Sequence, residues 1–152
     1  MKTDSLAAIK MIEAFLKTDD PETKRECLKI LGLTNNKRAI KPLMAQLETS
    51  EGKILFKEAV LSLSKFLKEK QVFYALMKKM KDKNIDKETR LIILSTLSNS
   101  QQGKVFPYLI NIISDRDDDL KLDAIKVIAE ARDTRNAEAL LKKIFDKIVK
   151  LI

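Results

Sequence analysis

Histidine and tryptophan are absent from the chain, and cysteine occurs once, at Cys27. Without histidine there is no imidazole base, no usual zinc ligand and no Ser-His or Cys-His nucleophile pair. A lone cysteine excludes an internal disulfide and a cysteine-based metal cluster, which suits a reducing compartment. Free cysteine ordinarily packs as a small apolar side chain, and that is the role expected of Cys27. Glycine and proline number three each. Gly32, Gly52 and Gly103 stand apart, so they build no glycine-rich phosphate loop, and so few breakers disfavour a turn-rich sheet fold. No apolar run approaches the roughly 20 residues of a membrane-spanning helix. In MKTDSLAAIKMIEAFL, at residues 1–16, Asp4, Lys10 and Glu13 interrupt the apolar rhythm and no small-residue cleavage site follows. No signal peptide is expected, and the chain reads as soluble and cytoplasmic.

What is present points to helices. A length of 152 residues with 45% hydrophobic content allows one domain with a sizeable core. Leu, Ile, Lys, Glu and Ala are abundant, so an all-α fold is expected. The 30 Lys and Arg exceed the 22 Asp and Glu by eight charges. Such an excess permits an anionic partner, nucleic acid or a lipid surface. Only six of the bases are arginine, the side chain suited to bidentate phosphate and base contacts, so most of the excess reads as solvated lysine.

The chain repeats itself. ECLKILGLTNNKRAIKPL (residues 26–43) and DAIKVIAEARDTRNAEAL (residues 123–140) align without a gap: Leu28 with Ile125, Leu31 with Ile128, Gly32 with Ala129, Arg38 with Arg135 and Leu43 with Leu140. Two further copies fit between them. Leu28 is matched by Val60, Leu94 and Ile125, at steps of 32, 34 and 31 residues, and Leu31 by Leu63, Leu97 and Ile128. Gly32 falls against the small residues Ser64, Ser98 and Ala129. In a second helix, Ile40 corresponds to Phe73, Phe106 and Ala137, Leu43 to Leu76, Leu109 and Leu140, and Leu47 to Met80, Ile113 and Ile144.

Each unit is therefore a helical hairpin. First helices are predicted over 21–32, 53–68, 86–99 and 117–131, and second helices over 37–48, 70–82, 102–114 and 135–150, with an extra helix over 4–17. The repeats occupy 19–48, 51–83, 85–114 and 117–150 of one 1–152 domain, and residues 1–18 cap one end. Asp20-Pro21-Glu22 and Asp86-Lys87-Glu88 look like N-caps with acidic first turns, and Pro42 and Pro107 are placed near helix starts. One hairpin cannot bury its apolar stripe alone, so neighbours must stack. The expected result is a right-handed α-superhelix with first helices convex and second helices concave.

Residues 19–47 and 117–144 give this pattern a likeness. Their acidic start, small residue and two apolar anchors in the first helix, then a short loop and an Ala-Ile-x-x-Leu-like second-helix start, resemble the HEAT repeats, especially the short bacterial HEAT-like form. The resemblance implies an α-solenoid and covers four units. It leaves function open, because scaffolds, enzyme subunits and nucleic-acid binders share the fold. HEAT-like iron hydroxylases need His-Glu pairs, which this chain lacks. HEAT-like DNA glycosylases need aromatics and a carboxylate converging in a concave cleft, where Tyr74 and Tyr108 would be the aromatics concerned.

No cofactor is expected. Asp115, Asp117, Asp118 and Asp119 lack the turn glycine and distal glutamate of a calcium loop, and Asp117 to Asp119 fit the first turn of the next helix. Second-helix positions off the buried stripe form three rungs: Lys41, Tyr74, Pro107 and Glu138; Ala45, Lys78, Asn111 and Lys142; Glu48, Lys81, Ser114 and Phe145. Lys41, Tyr74, Lys78, Lys81, Tyr108, Asn111, Lys142 and Phe145 are the candidate partner-binding residues, aromatic anchors within a polar, basic rim. Residues 41–83 are net +5 and residues 115–138 net −3. KKMKDK, residues 78–83, is the densest basic run and ends a helix, where the dipole favours lysine without any ligand. LKKIFDKIVKLI, residues 141–152, stays apolar at Ile148, Leu151 and Ile152, an end expected to meet a further repeat, a second copy or a partner. The expected function is a non-catalytic protein-interaction scaffold using the concave second-helix face or this end. The alternatives are a basic nucleic-acid-binding solenoid and, further off, a DNA glycosylase.

Overall fold

The computed structural model describes residues 2–49, 52–100, 102–115 and 118–130, together with positions 138, 142, 145, 146, 149 and 150. The described residues are helical with short connections: α1 (Lys2–Phe15), α2 (Pro21–Leu33), α3 (Ile40–Thr49), α4 (Lys53–Leu63), α5 (Lys70–Lys81), α6 (Lys87–Ser100), α7 (Gln102–Ser114) and α8 (Lys121–Ala129). Single 3-10 turns at Lys37–Ala39 and Ser64–Phe66 precede α3 and follow α4, tightening helix ends that the sequence reads as regular. The positions described beyond 130 are all helical.

The starts and stops follow local chemistry. Asp20 accepts the Thr23 amide at 3.0 Å and the Thr23 hydroxyl, and Pro21 opens α2 where its missing N–H costs nothing. Asp86 does the same for α6, accepting the Thr89 amide at 3.0 Å and its hydroxyl at 2.7 Å. After α2 the chain turns at Asn35, whose φ of 50° asparagine tolerates, and Asn36 then caps the next turn through the Arg38 amide at 3.0 Å. Pro107 departs from its expected place. It lies inside α7, five residues after the helix begins at Gln102, so it removes one intrahelical hydrogen bond there.

Two compact units divide the chain, residues 1–76 and 77–152. In the first, α2 lies against α4 and α3 also packs on α4, while α1 covers α2. In the second, α6 and α7 both pack on α8. Both units thus show one relation: first helix beside the next first helix, second helix against the first helix that follows. The repeat register sets the core. Leu28, Leu31, Val60, Leu63, Leu94, Leu97, Leu43, Leu76 and Leu109 are each fully buried. Each such side chain contributes on the order of 1.5–3 kcal/mol relative to exposure.

Small residues set the closest approach. An added Cβ on Gly32 would lie 2.9 Å from the Ser62 Cα, and the Ser62 hydroxyl donates to the Leu28 carbonyl at 2.8 Å across the α2–α4 crossing. The Arg25 guanidinium meets Glu58 at 3.4 Å, and Lys37 meets Glu69 at 3.0 Å.

The second unit holds a buried ionic junction. Arg90 on α6 is 2% exposed; its Nε donates to the Met80 carbonyl at 2.7 Å, and its two terminal nitrogens reach Asp118 at 3.0 Å and Asp119 at 3.1 Å. This corrects the reading of the acidic run. Asp118 and Asp119 precede α8 rather than forming its first turn: Asp118 accepts the Leu120 amide at 3.0 Å and turns its other oxygen to Arg90. Lys83 pairs with Asp115, and Lys87 with Asp123 at 3.7 Å, so bases ahead of the run neutralise it.

Candidate functional site

The helix α5 is buried along Val72, Phe73, Leu76, Met77 and Met80, which leaves Tyr74, Lys78 and Lys81 on its outer face at i, i+4 and i+7. In the first unit Lys41 is exposed on α3. Tyr74 is 59% exposed, and its ring meets that of the buried Phe73 edge-on, with centroids 5.7 Å apart. That contact ties an exposed aromatic to the core, as a rigid anchor requires.

In the second unit the Lys81 ammonium stands 4.2 Å over the centre of the Tyr108 ring. Such a contact contributes about 0.5–1 kcal/mol at an exposed site. Tyr108 is half-buried on α7, and the exposed Asn111 lies one turn further along. Lys81 with Tyr108 is a direct side-chain interaction between two sequence-predicted residues. A partner therefore meets a capped ring, with charge and aromatic surface presented together. Lys142 and Phe145 are exposed and helical. Ile148, Leu151 and Ile152, predicted as a C-terminal interface, lie outside the described residues.

The basic run is used within the chain in part. Met80 is buried, Lys81 rests on Tyr108, Lys83 pairs with Asp115, and Lys79 also has an interaction partner. Lys83 is thus neutralised, while Lys78 and Lys81 stay exposed and keep their charge. Among the described residues no three His, Cys, Asp or Glu side chains group to hold a metal ion. Burial, then the neighbouring Glu26 charge, pushes the Cys27 thiol above its ordinary 9.0, which leaves it a poor nucleophile at neutral pH.

Sequence reasoning missed where the apolar surface lies. Ile30 and Leu33 on α2, Ile54 and Leu61 on α4, and Leu122 on α8 are exposed large hydrophobic residues on first helices. Leu33 and Leu61 line one open groove of about 400 Å³ with Lys29, Gly32, Glu58, Ser62, Ser64 and Lys65. The repeat register marks these positions as off the buried stripe, and that was the available signal. No helix among the described residues is long and apolar enough to cross a membrane.

A family model for HEAT repeats matches residues 8–98, more than half of the chain, from within α1 into α6. No curated protein matches it.

Proposed function

Because the chain belongs to the HEAT-repeat family, we propose that it is a non-catalytic scaffold that recognises a protein partner through its second helices. HEAT repeats are typically protein-interaction scaffolds. The observation that carries the reading is the outer face of α5 and its neighbour on α7: an exposed Tyr74, exposed Lys78 and Lys81, and Tyr108 held under Lys81 at 4.2 Å, beside Asn111. Tyrosine gives large contact area at low entropic cost, and lysine and asparagine supply a polar rim. Lys41, in the first unit, and Lys142 and Phe145, in the second, are further proposed partner contacts. Ile148, Leu151 and Ile152 belong to a proposed end contact with a further repeat, a second copy or the partner itself. A cytoplasmic setting is part of the same reading, suited to one buried, unpaired cysteine.

The pairing of Lys83 with Asp115 and the aromatic surface set beside Lys81 favour protein over nucleic acid. The test is the anisotropy of labelled duplex and single-stranded DNA and RNA, titrated with the protein across a salt series. A protein-directed surface leaves the signal flat at physiological salt. Micromolar binding with a steep salt slope, lost in Lys78→Glu/Lys79→Glu/Lys81→Glu, would replace this reading with the nucleic-acid one.

A further inference from the structure

The first helices of the first unit carry an open groove built from residues other than those of the surface proposed above. Its floor is Gly32, Ser62 and Ser64, and its walls are Leu33, 76% exposed, and Leu61, 46% exposed. The floor follows from the helix crossing: α2 and α4 approach so closely at Gly32 and Ser62 that no larger side chain fits to fill the surface notch between the leucines. Scattered exposed leucines need no explanation, but two facing one notch of about 400 Å³ leave an apolar wall in water, at the low end of the size range of ligand pockets.

The charges around the notch say what fits. Glu58 is held by Arg25 at 3.4 Å, so its carboxylate is already answered. Lys65, beyond α4, pairs with no acid among the described residues. Lys29, on α2, has only the exposed Glu26 three residues earlier, at 3.0 Å, a surface pair readily exchanged. The unpaired charge at the groove is therefore positive, on Lys65, and Lys29 adds a second base from α2 in an exchangeable surface pair.

We infer that this groove docks a short peptide segment of another protein, one that places a large apolar side chain between Leu33 and Leu61 and an aspartate or glutamate against Lys29 or Lys65. The leucines supply the desolvated anchor, and the lysines select acidic over basic segments.

The test is selection of a random dodecapeptide phage library on the full chain, followed by anisotropy of the enriched peptides as labelled synthetics. The expected winners join a large apolar residue to Asp or Glu. They lose affinity about tenfold or more on Leu33→Asp and on Lys65→Glu, as removal of a hot-spot group does, and bind Lys81→Glu unchanged. Both groove changes lie at exposed positions, and circular dichroism checks that each variant folds. Failure to enrich any shared pattern, enrichment of basic peptides, or binding that survives both groove changes would overturn the inference. Loss of binding in Lys81→Glu would instead assign the peptides to the second-helix surface and overturn it equally.

Discussion

Replacing Arg90 with methionine keeps the bulk of the side chain and deletes its charge. The guanidinium is 2% exposed and joins the end of α5, through the Met80 carbonyl, to the turn ahead of α8, through Asp118 and Asp119. Its loss leaves the Asp118 carboxylate, 5% exposed, with only the Leu120 amide. Removing one partner of a buried pair costs about 3–5 kcal/mol, because the remaining charge stays desolvated. Asp119 adds little, being 55% exposed. Asp118→Asn should cost less, about 1–3 kcal/mol, since Arg90 keeps Asp119 and Met80. The double variant should therefore be less damaging than the sum of the two. Urea unfolding followed by far-UV circular dichroism at pH 7 reads these differences, with two probes checked for coincident transitions because the chain has two compact units. An Arg90→Met protein within about 0.5 kcal/mol of the parent, or strict additivity in the double variant, would refute the reasoning.

Gly32→Ala gains about 0.5–1 kcal/mol of helix preference but forces a Cβ to 2.9 Å from the Ser62 backbone. Overpacking costs about 1–3 kcal/mol, and because the clash is with backbone the cost should prevail, for a net loss of about 1 kcal/mol and at most about 2.5 in the same urea assay. The Asp20 carboxyl is held below its ordinary 3.8 by the Thr23 hydroxyl and amide. A lowered folded value means that the cap stabilises above 3.8 and that this contribution fades as pH falls through the folded value. Asp20→Ala should thus lower the thermal midpoint at neutral pH, with the gap to the parent narrowing in acid. Cys27, buried and with its thiol pushed up by burial, should react with a thiol reagent only at the rate of unfolding, so labelling across a urea series should track the circular dichroism transition.

The repeat register was legible because it rests on burial, which sequence periodicity reports directly: Leu28, Val60 and Leu94 occupy one position and all are fully buried. Caps at Asp20 and Asp86 were legible for a similar reason, since the acceptor and its amide lie three residues apart. What was hidden depends on neighbours distant in sequence. Gly32 aligns with Ser64 but touches Ser62, because packing follows the helix crossing and not the repeat offset. Arg90 looks like any helical arginine until Met80, Asp118 and Asp119 surround it. Tyr74 and Tyr108 read alike in the sequence, as aromatic anchors within a polar rim, and the pairing of Lys81 with Tyr108 across two helices changes what one of them offers. The register leaves Leu33 and Leu61 off the buried stripe, but the groove between them follows from the close approach at Gly32, which periodicity does not report.

The scaffold reading is tested most directly by quantitative affinity capture from nuclease-treated extract, comparing the parent chain with a Tyr74→Ala/Lys78→Glu/Tyr108→Ala variant that retains its helical signal. One or more proteins should be retained by the parent after nuclease and lost from the variant. Proteins retained equally by both, or capture that nuclease abolishes, would contradict it.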